Sequence, residues 1–171
     1  MDERTLTIIL RLIHILSGIF WVGVMILLAG FLLPTVRTMG REGGRFMQTL
    51  MQQKRLQLYI GLAAALTVLS GITLYARMAA ATHGAWAGSR PGITYGVGAV
   101  AAILGAAIGG GIGSSAGRKM LAVGQAIGSA GPTPEQQAEL TRLQSRMALG
   151  SRIAASLLVI AAAAMAVGRY L

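Results

Sequence analysis

Long apolar runs alternate with short polar ones along this chain, and the apolar runs far exceed what a strand or a half-buried helix requires. A helix that crosses a hydrocarbon core needs about 20 predominantly apolar residues. Four segments fit or approach that length. Residues 6–33 are interrupted only by Arg11 and His14, and residues 56–81 carry Arg77 near their end. Residues 93–116 hold no charge, and residues 153–167 are bounded by Arg152 and Arg169. Pro34 follows the first run, where a helix can end. The pattern predicts an all-α fold, an integral membrane antiparallel four-helix bundle that forms a single transmembrane domain over residues 1–171.

The connections are unequal in charge. Residues 35–55 carry Arg37, Arg41, Arg45, Lys54 and Arg55, and residues 117–152 carry Arg118, Lys119, Arg142, Arg146 and Arg152. The opposite side, with both termini, carries only Arg4, Arg11, Arg77, Arg90 and Arg169. Basic loops stay in the cytoplasm, so both termini are expected outside. Residues 46–55 read as a cytoplasmic extension of the second helix. In the third connection Thr133 suits an N-cap, Pro134 the first helical position, and Gln136 completes a capping box. The helix begun there is expected to run on into the fourth span, with Glu139 and Arg142 paired on one face.

Composition agrees. Hydrophobic residues make up 54% and charged residues 12%, against about 25% charged in a soluble domain. The formal net charge of +10 fits basic loops held at an anionic leaflet. Nucleic acid is not an expected partner, because no basic stretch is interleaved with aromatics. The absence of cysteine excludes disulfides, thiolate metal sites and cysteine nucleophiles. Met1-Asp2-Glu3-Arg4 is not the basic start of a cleaved signal, and the first apolar run exceeds the about 7–15 residues of a signal core; it is expected to be a retained helix.

Candidate chemistry sits on the first span. Arg11, His14, Gly18, Trp21 and Met25 are separated by three or four residues and so share one helix face. A polar ring in hydrocarbon needs a partner, so His14 is expected to point inward, in the outer half of the membrane. It can be an axial ligand to a b-type haem, a copper ligand, or an interhelical hydrogen-bond donor. Arg11 and Arg77, both near the outer surface, are the candidates to hold haem propionates, and no second axial ligand is identifiable. Trp21 reads as a packing residue.

On the third span Gly105, Gly109, Gly113 and Gly117 recur every four residues, a spacing that lets helices approach closely in lipid. Gly109→Leu is therefore expected to disrupt the bundle more than Ala101→Leu. These glycines do not make a nucleotide fingerprint, because no strand precedes them. The methionines read as apolar filler. No carboxylate lies within a span, which argues against proton relays built on Asp or Glu.

The stretch Leu12-Ile13-His14-Ile15-Leu16-Ser17-Gly18-Ile19-Phe20-Trp21-Val22-Gly23 resembles the first helix of the copper-resistance-protein-D-like superfamily of bacterial membrane proteins, which share a His, a Gly and Trp-x-Gly. It resembles equally the membrane-bound haem-pathway protoporphyrinogen oxidase and the membrane domain of a purine-degrading oxidase. Residues 66–75 and 165–171 look like an uncharacterised branch of that group. The resemblance implies the bacterial inner (plasma) membrane and places His14 at a candidate ligand position. The oxidase pattern also uses a basic residue within a later span, and the spans here hold no lysine. The leading expectation is thus a non-enzymatic membrane protein holding haem b through His14. The alternative is a cofactor-free accessory subunit that packs against other membrane subunits, and copper handling ranks third.

Overall fold

The computed structural model describes residues 2–127 and 131–171. Its long helices are α1 (Glu3–Thr38), α3 (Leu56–Ala81), α4 (Arg90–Ala126) and α5 (Pro134–Val167). Between the first two lies α2 (Gly40–Gln48), whose last turn widens over Thr49–Gln53. Among the described residues, four helices are long and apolar enough to cross a membrane. Residues 128–130 of the third connection lie outside the described residues.

Local chemistry explains where these helices start. Asp2 accepts the Thr5 amide at 3.3 Å, and Ser89 accepts the Gly92 amide at 3.3 Å. At Thr133 both halves of the capping box form: its hydroxyl accepts from the Gln136 amide at 3.3 Å, and the Gln136 carbonyl oxygen accepts from the Thr133 amide at 2.9 Å. The helix continues unbroken to Val167, and Glu139 lies 3.4 Å from Arg142.

Two boundaries depart from expectation. Pro34 does not end the first helix. It lacks an N–H and its ring would strike the carbonyl four residues back, but α1 widens to π geometry over Leu28–Leu32 just before it. The Leu33 amide then reaches back to the Leu28 carbonyl, and the helix runs on to Thr38. Residues 46–55 are not an extension of α3 either. Gly40, at φ +55°, turns the chain back, and α2 folds against the end of α1, with Gly43 pressed onto the Val36 carbonyl. Arg55 breaks the path before α3 with φ 54°, a left-handed conformation that costs a non-glycine residue roughly 1–2 kcal/mol.

The core gathers Trp21, Met25, Leu28 and Ala29 of α1, Ala63 of α3, and Ala154, Ala155 and Leu158 of α5. Met47 and Met51 of α2 pack on it from one end. The most extensive contact joins α4 to α5, followed by α1 to α3. Along α4, Gly98 faces Ala161, Ala164 and Met165, Gly105 faces Ala154 and Leu158, and Ile112 faces Gly150. Large apolar side chains such as Leu16, Ile19, Leu69 and Val100 point away from the core and are exposed.

Candidate functional site: a polar slot around His14

His14 sits between α1 and α3, and α3 is shaped to receive it. A methyl group on Gly71 would stand 2.8 Å from His14 Cε1 and 3.1 Å from Nδ1, so the glycine opens the seat of the ring. The Thr67 carbonyl accepts a hydrogen bond from Nδ1 at 2.8 Å, and the Ser70 hydroxyl lies 3.3 Å from the same nitrogen. A carbonyl oxygen can only accept, so the proton is on Nδ1, and a neutral ring then carries its lone pair on Nε2. No described protein atom bonds Nε2.

The rest of the slot is hydroxyl. Ser17 Oγ and Thr67 Oγ1 are 2.8 Å apart. Thr67 Oγ1 lies 2.7 Å from the Ala63 carbonyl and Ser17 Oγ 2.5 Å from the Ile13 carbonyl. Each hydroxyl has a single proton, so one of the two donates to its own carbonyl and the other to its partner hydroxyl, while Ser70 Oγ donates to the Leu66 carbonyl at 2.5 Å. Such bonds to the preceding helical turn let short polar side chains exist in an apolar helix. Among the described residues, no buried side-chain nitrogen or oxygen lacks a partner.

The other residues of the predicted site are placed apart from His14's ring. Arg11 is exposed. Arg77 pairs with Glu3 at the end of the α1–α3 seam. Because the Glu3 side chain is 85% exposed, that pair contributes at most about 1 kcal/mol. Met165 sits over Gly98, with its methyl 3.1 Å from where a Cβ would be, at the α4–α5 seam. Trp21 is 3% exposed and Met25 is 8% exposed, both in the apolar core. No group of three or more His, Cys, Asp or Glu side chains that could hold a metal occurs among the described residues. His14 Nε2 is therefore one ligand atom outside any such group, and the space over Gly71 is taken by the His14 ring itself.

The glycine row divides. A Cβ on Gly105 would lie 3.4 Å from the Ala154 carbonyl, and one on Gly109 would lie 3.3 Å from Ala154 Cβ and 3.5 Å from Met25 Cε. At Gly113 and Gly117 it would meet open space, so they do not mediate a close approach within the chain. The tight end lies the other way, at Gly98, where a Cβ would be 3.1–3.3 Å from three α5 atoms. Ala101, at 6% exposure, lies in the same contact and is no neutral comparison for Gly109. The sequence reading missed Gly71, Thr67 and Ser70 as the seat of His14. With Ala63 they form a row of small and hydroxyl residues at helical spacing, a signal visible in the sequence.

Fold and slot define a class: an all-helical protein with four potential membrane spans and one histidine held between two of them. Beyond that class, comparison with known protein families, characterised proteins and solved structures finds no match.

Proposed function

We propose that this is a multi-pass protein of a bacterial inner membrane, an antiparallel four-helix bundle with both termini outside, that works as a cofactor-free accessory subunit of a larger membrane assembly. The observation that carries this reading is how far the slot satisfies itself. Apart from His14 Nε2, the polar groups of the slot bond to the protein's own atoms, while large apolar side chains face outward, as a lipid surround requires. The falling residue numbers of α3 against α1, and of α5 against α4, support the antiparallel arrangement. Gly110 and Gly111 are exposed and open, which leaves room for a helix of another subunit. The charge asymmetry of the connections supports the orientation. Membership of the copper-resistance-protein-D-like superfamily is part of the proposal and rests on the segment from His14 to Gly23.

A second reading keeps haem. Ligating histidines commonly donate their other ring nitrogen to a backbone carbonyl, and His14 has that arrangement with Nε2 free. Nε2 would then hold the iron. The copper reading has less support, because Met25, Met47 and Met51 pack in the apolar core.

One set of measurements separates these. The protein has no cysteine, so a cysteine at Ala85 should label from outside in intact cells and one at Gln125 should not; the reverse pattern overturns the orientation. Release of the protein by carbonate washing overturns membrane insertion. The purified protein should have a featureless visible spectrum. A Soret band that His14→Gln removes would establish the haem reading instead.

A further inference from the structure

An open apolar groove runs along the outer side of α1 and α3, lined by Ile13, Leu16, Phe20, Leu56, Tyr59 and Leu62 among others. On α3 the lining extends from Leu56 to Leu66, about 15 Å at the helical rise. That is half of a hydrocarbon core about 30 Å thick, the depth of one leaflet. One end of the groove lies at Leu56, and the two residues before it are Arg55 and Lys54. Both are exposed, and neither takes part in the ion pairs found among the described residues, which join Glu42 to Arg45, Glu3 to Arg77 and Glu139 to Arg142.

An open apolar groove about one leaflet long, with two cations at its end outside the ion pairs found among the described residues, complements a molecule with an apolar chain and an anionic head. From this geometry we infer that the α1–α3 groove is a binding site for an anionic phospholipid. One acyl chain lies in the groove, and the phosphate sits at Lys54 and Arg55. The headgroup is net negative, as in phosphatidylglycerol. A zwitterionic headgroup would set its own cation against the same two side chains, so it binds less well. Arg55 is fixed in its left-handed conformation between α2 and α3, which holds its backbone at the groove mouth. The inference rests on the membrane reading above, with Lys54 and Arg55 at the cytoplasmic leaflet.

The test uses the full chain reconstituted in phosphatidylcholine vesicles containing a trace of spin-labelled phosphatidylglycerol or spin-labelled phosphatidylcholine. Retention after carbonate washing is checked first. The immobilised fraction should favour phosphatidylglycerol by up to roughly thirtyfold, the scale expected for two cations near a membrane surface. Lys54→Gln with Arg55→Asn should bring the preference close to one; asparagine tolerates the left-handed backbone. Arg118→Gln with Lys119→Gln should leave the preference in place. Leu62→Trp, which fills the groove, should lower the immobilised fraction of phosphatidylglycerol while circular dichroism stays unchanged. Equal immobilisation of the two lipids, or equal losses from the two cation pairs, overturns the site and leaves membrane insertion standing. Loss of the protein on washing overturns both together. Displacement of phosphatidylglycerol by soluble polyglutamate would assign the cations to an acidic protein segment and overturn the lipid assignment.

Discussion

The two principal seams of this protein are held by different physics. Between α4 and α5 the backbones approach through Gly98, Gly105 and Gly109 against Ala154, Ala161 and Leu158. The side-chain hydrogen bond between these helices among the described residues, Gln136 to the Ala126 carbonyl at 3.3 Å, lies at the loop. Between α1 and α3 the contact is polar: His14, Ser17, Thr67 and Ser70 link the helices by hydrogen bonds, and Glu3–Arg77 closes the end. In the membrane setting proposed above, lipid gives no hydrophobic gain from pushing apolar helices together, so van der Waals contact and hydrogen bonds are the available forces. Close approach spreads many weak contacts along a long seam. Hydrogen bonding concentrates a few stronger contacts at one depth and fixes register and rotation there.

The largest expected effect falls on the apolar seam. Gly98→Leu should destabilise the protein in detergent by about 3 kcal/mol, the upper range for overpacking a filled contact, because its side chain would enter space held by Ala161, Ala164 and Met165. Gly113→Leu, pointing into open space, should change stability by about 0.5 kcal/mol or less. Thermal unfolding followed by circular dichroism compares the two. Similar losses would mean that the seam is not what distinguishes these glycines.

A smaller effect is expected in the polar slot. Gly71→Ala places a methyl 2.8 Å from the His14 ring and should cost about 1–2 kcal/mol. His14→Ala alone removes the hydrogen bond to Thr67, worth about 0.6 kcal/mol on average for such bonds between membrane helices, as well as the contacts of the ring. The double variant should be more stable than the sum of the single losses predicts, since the added methyl then has room. Strict additivity would separate Gly71 from the seating of His14.

The smallest effect lies at the Glu3 end of the polar seam. The Thr5 side chain and then the Thr5 amide hold the Asp2 carboxyl below its ordinary value of 3.8. A depressed carboxylate contributes its stabilisation fully above the unfolded-state value and loses it as pH falls through the folded-state value. Amide exchange at Thr5 should therefore speed up, relative to the intrinsic rate, only as pH drops below about 3.8, and Asp2→Asn should remove that pH dependence. Exchange protection independent of pH in this range would show that the cap does not depend on the carboxylate's charge.

The sequence by itself determined the four apolar helices, the capping box at Thr133 and the Glu139–Arg142 pair. Each of these follows from composition, periodicity or contacts within one or two turns, which a chain expresses wherever it is placed. Of the stripe that carries His14, Trp21 and Met25 are buried but Arg11 is exposed. The passage of α1 through Pro34 was decided higher up, because a π widening one turn earlier removes the clash that proline would otherwise cause. The return of α2 onto α1 depends likewise on Gly40's positive φ and on Gly43 meeting the Val36 carbonyl across the turn. Only the tertiary structure separated Gly105 and Gly109, which meet a neighbour, from Gly113 and Gly117, which do not, since a glycine's spacing names its face and not what lies opposite. It also chose the partner of His14. A ring that needs a hydrogen bond is legible from the sequence, but Thr67 is 53 residues away, and its carbonyl becomes the partner only because α1 and α3 meet in this register, with no side chain at Gly71 to hold the ring off.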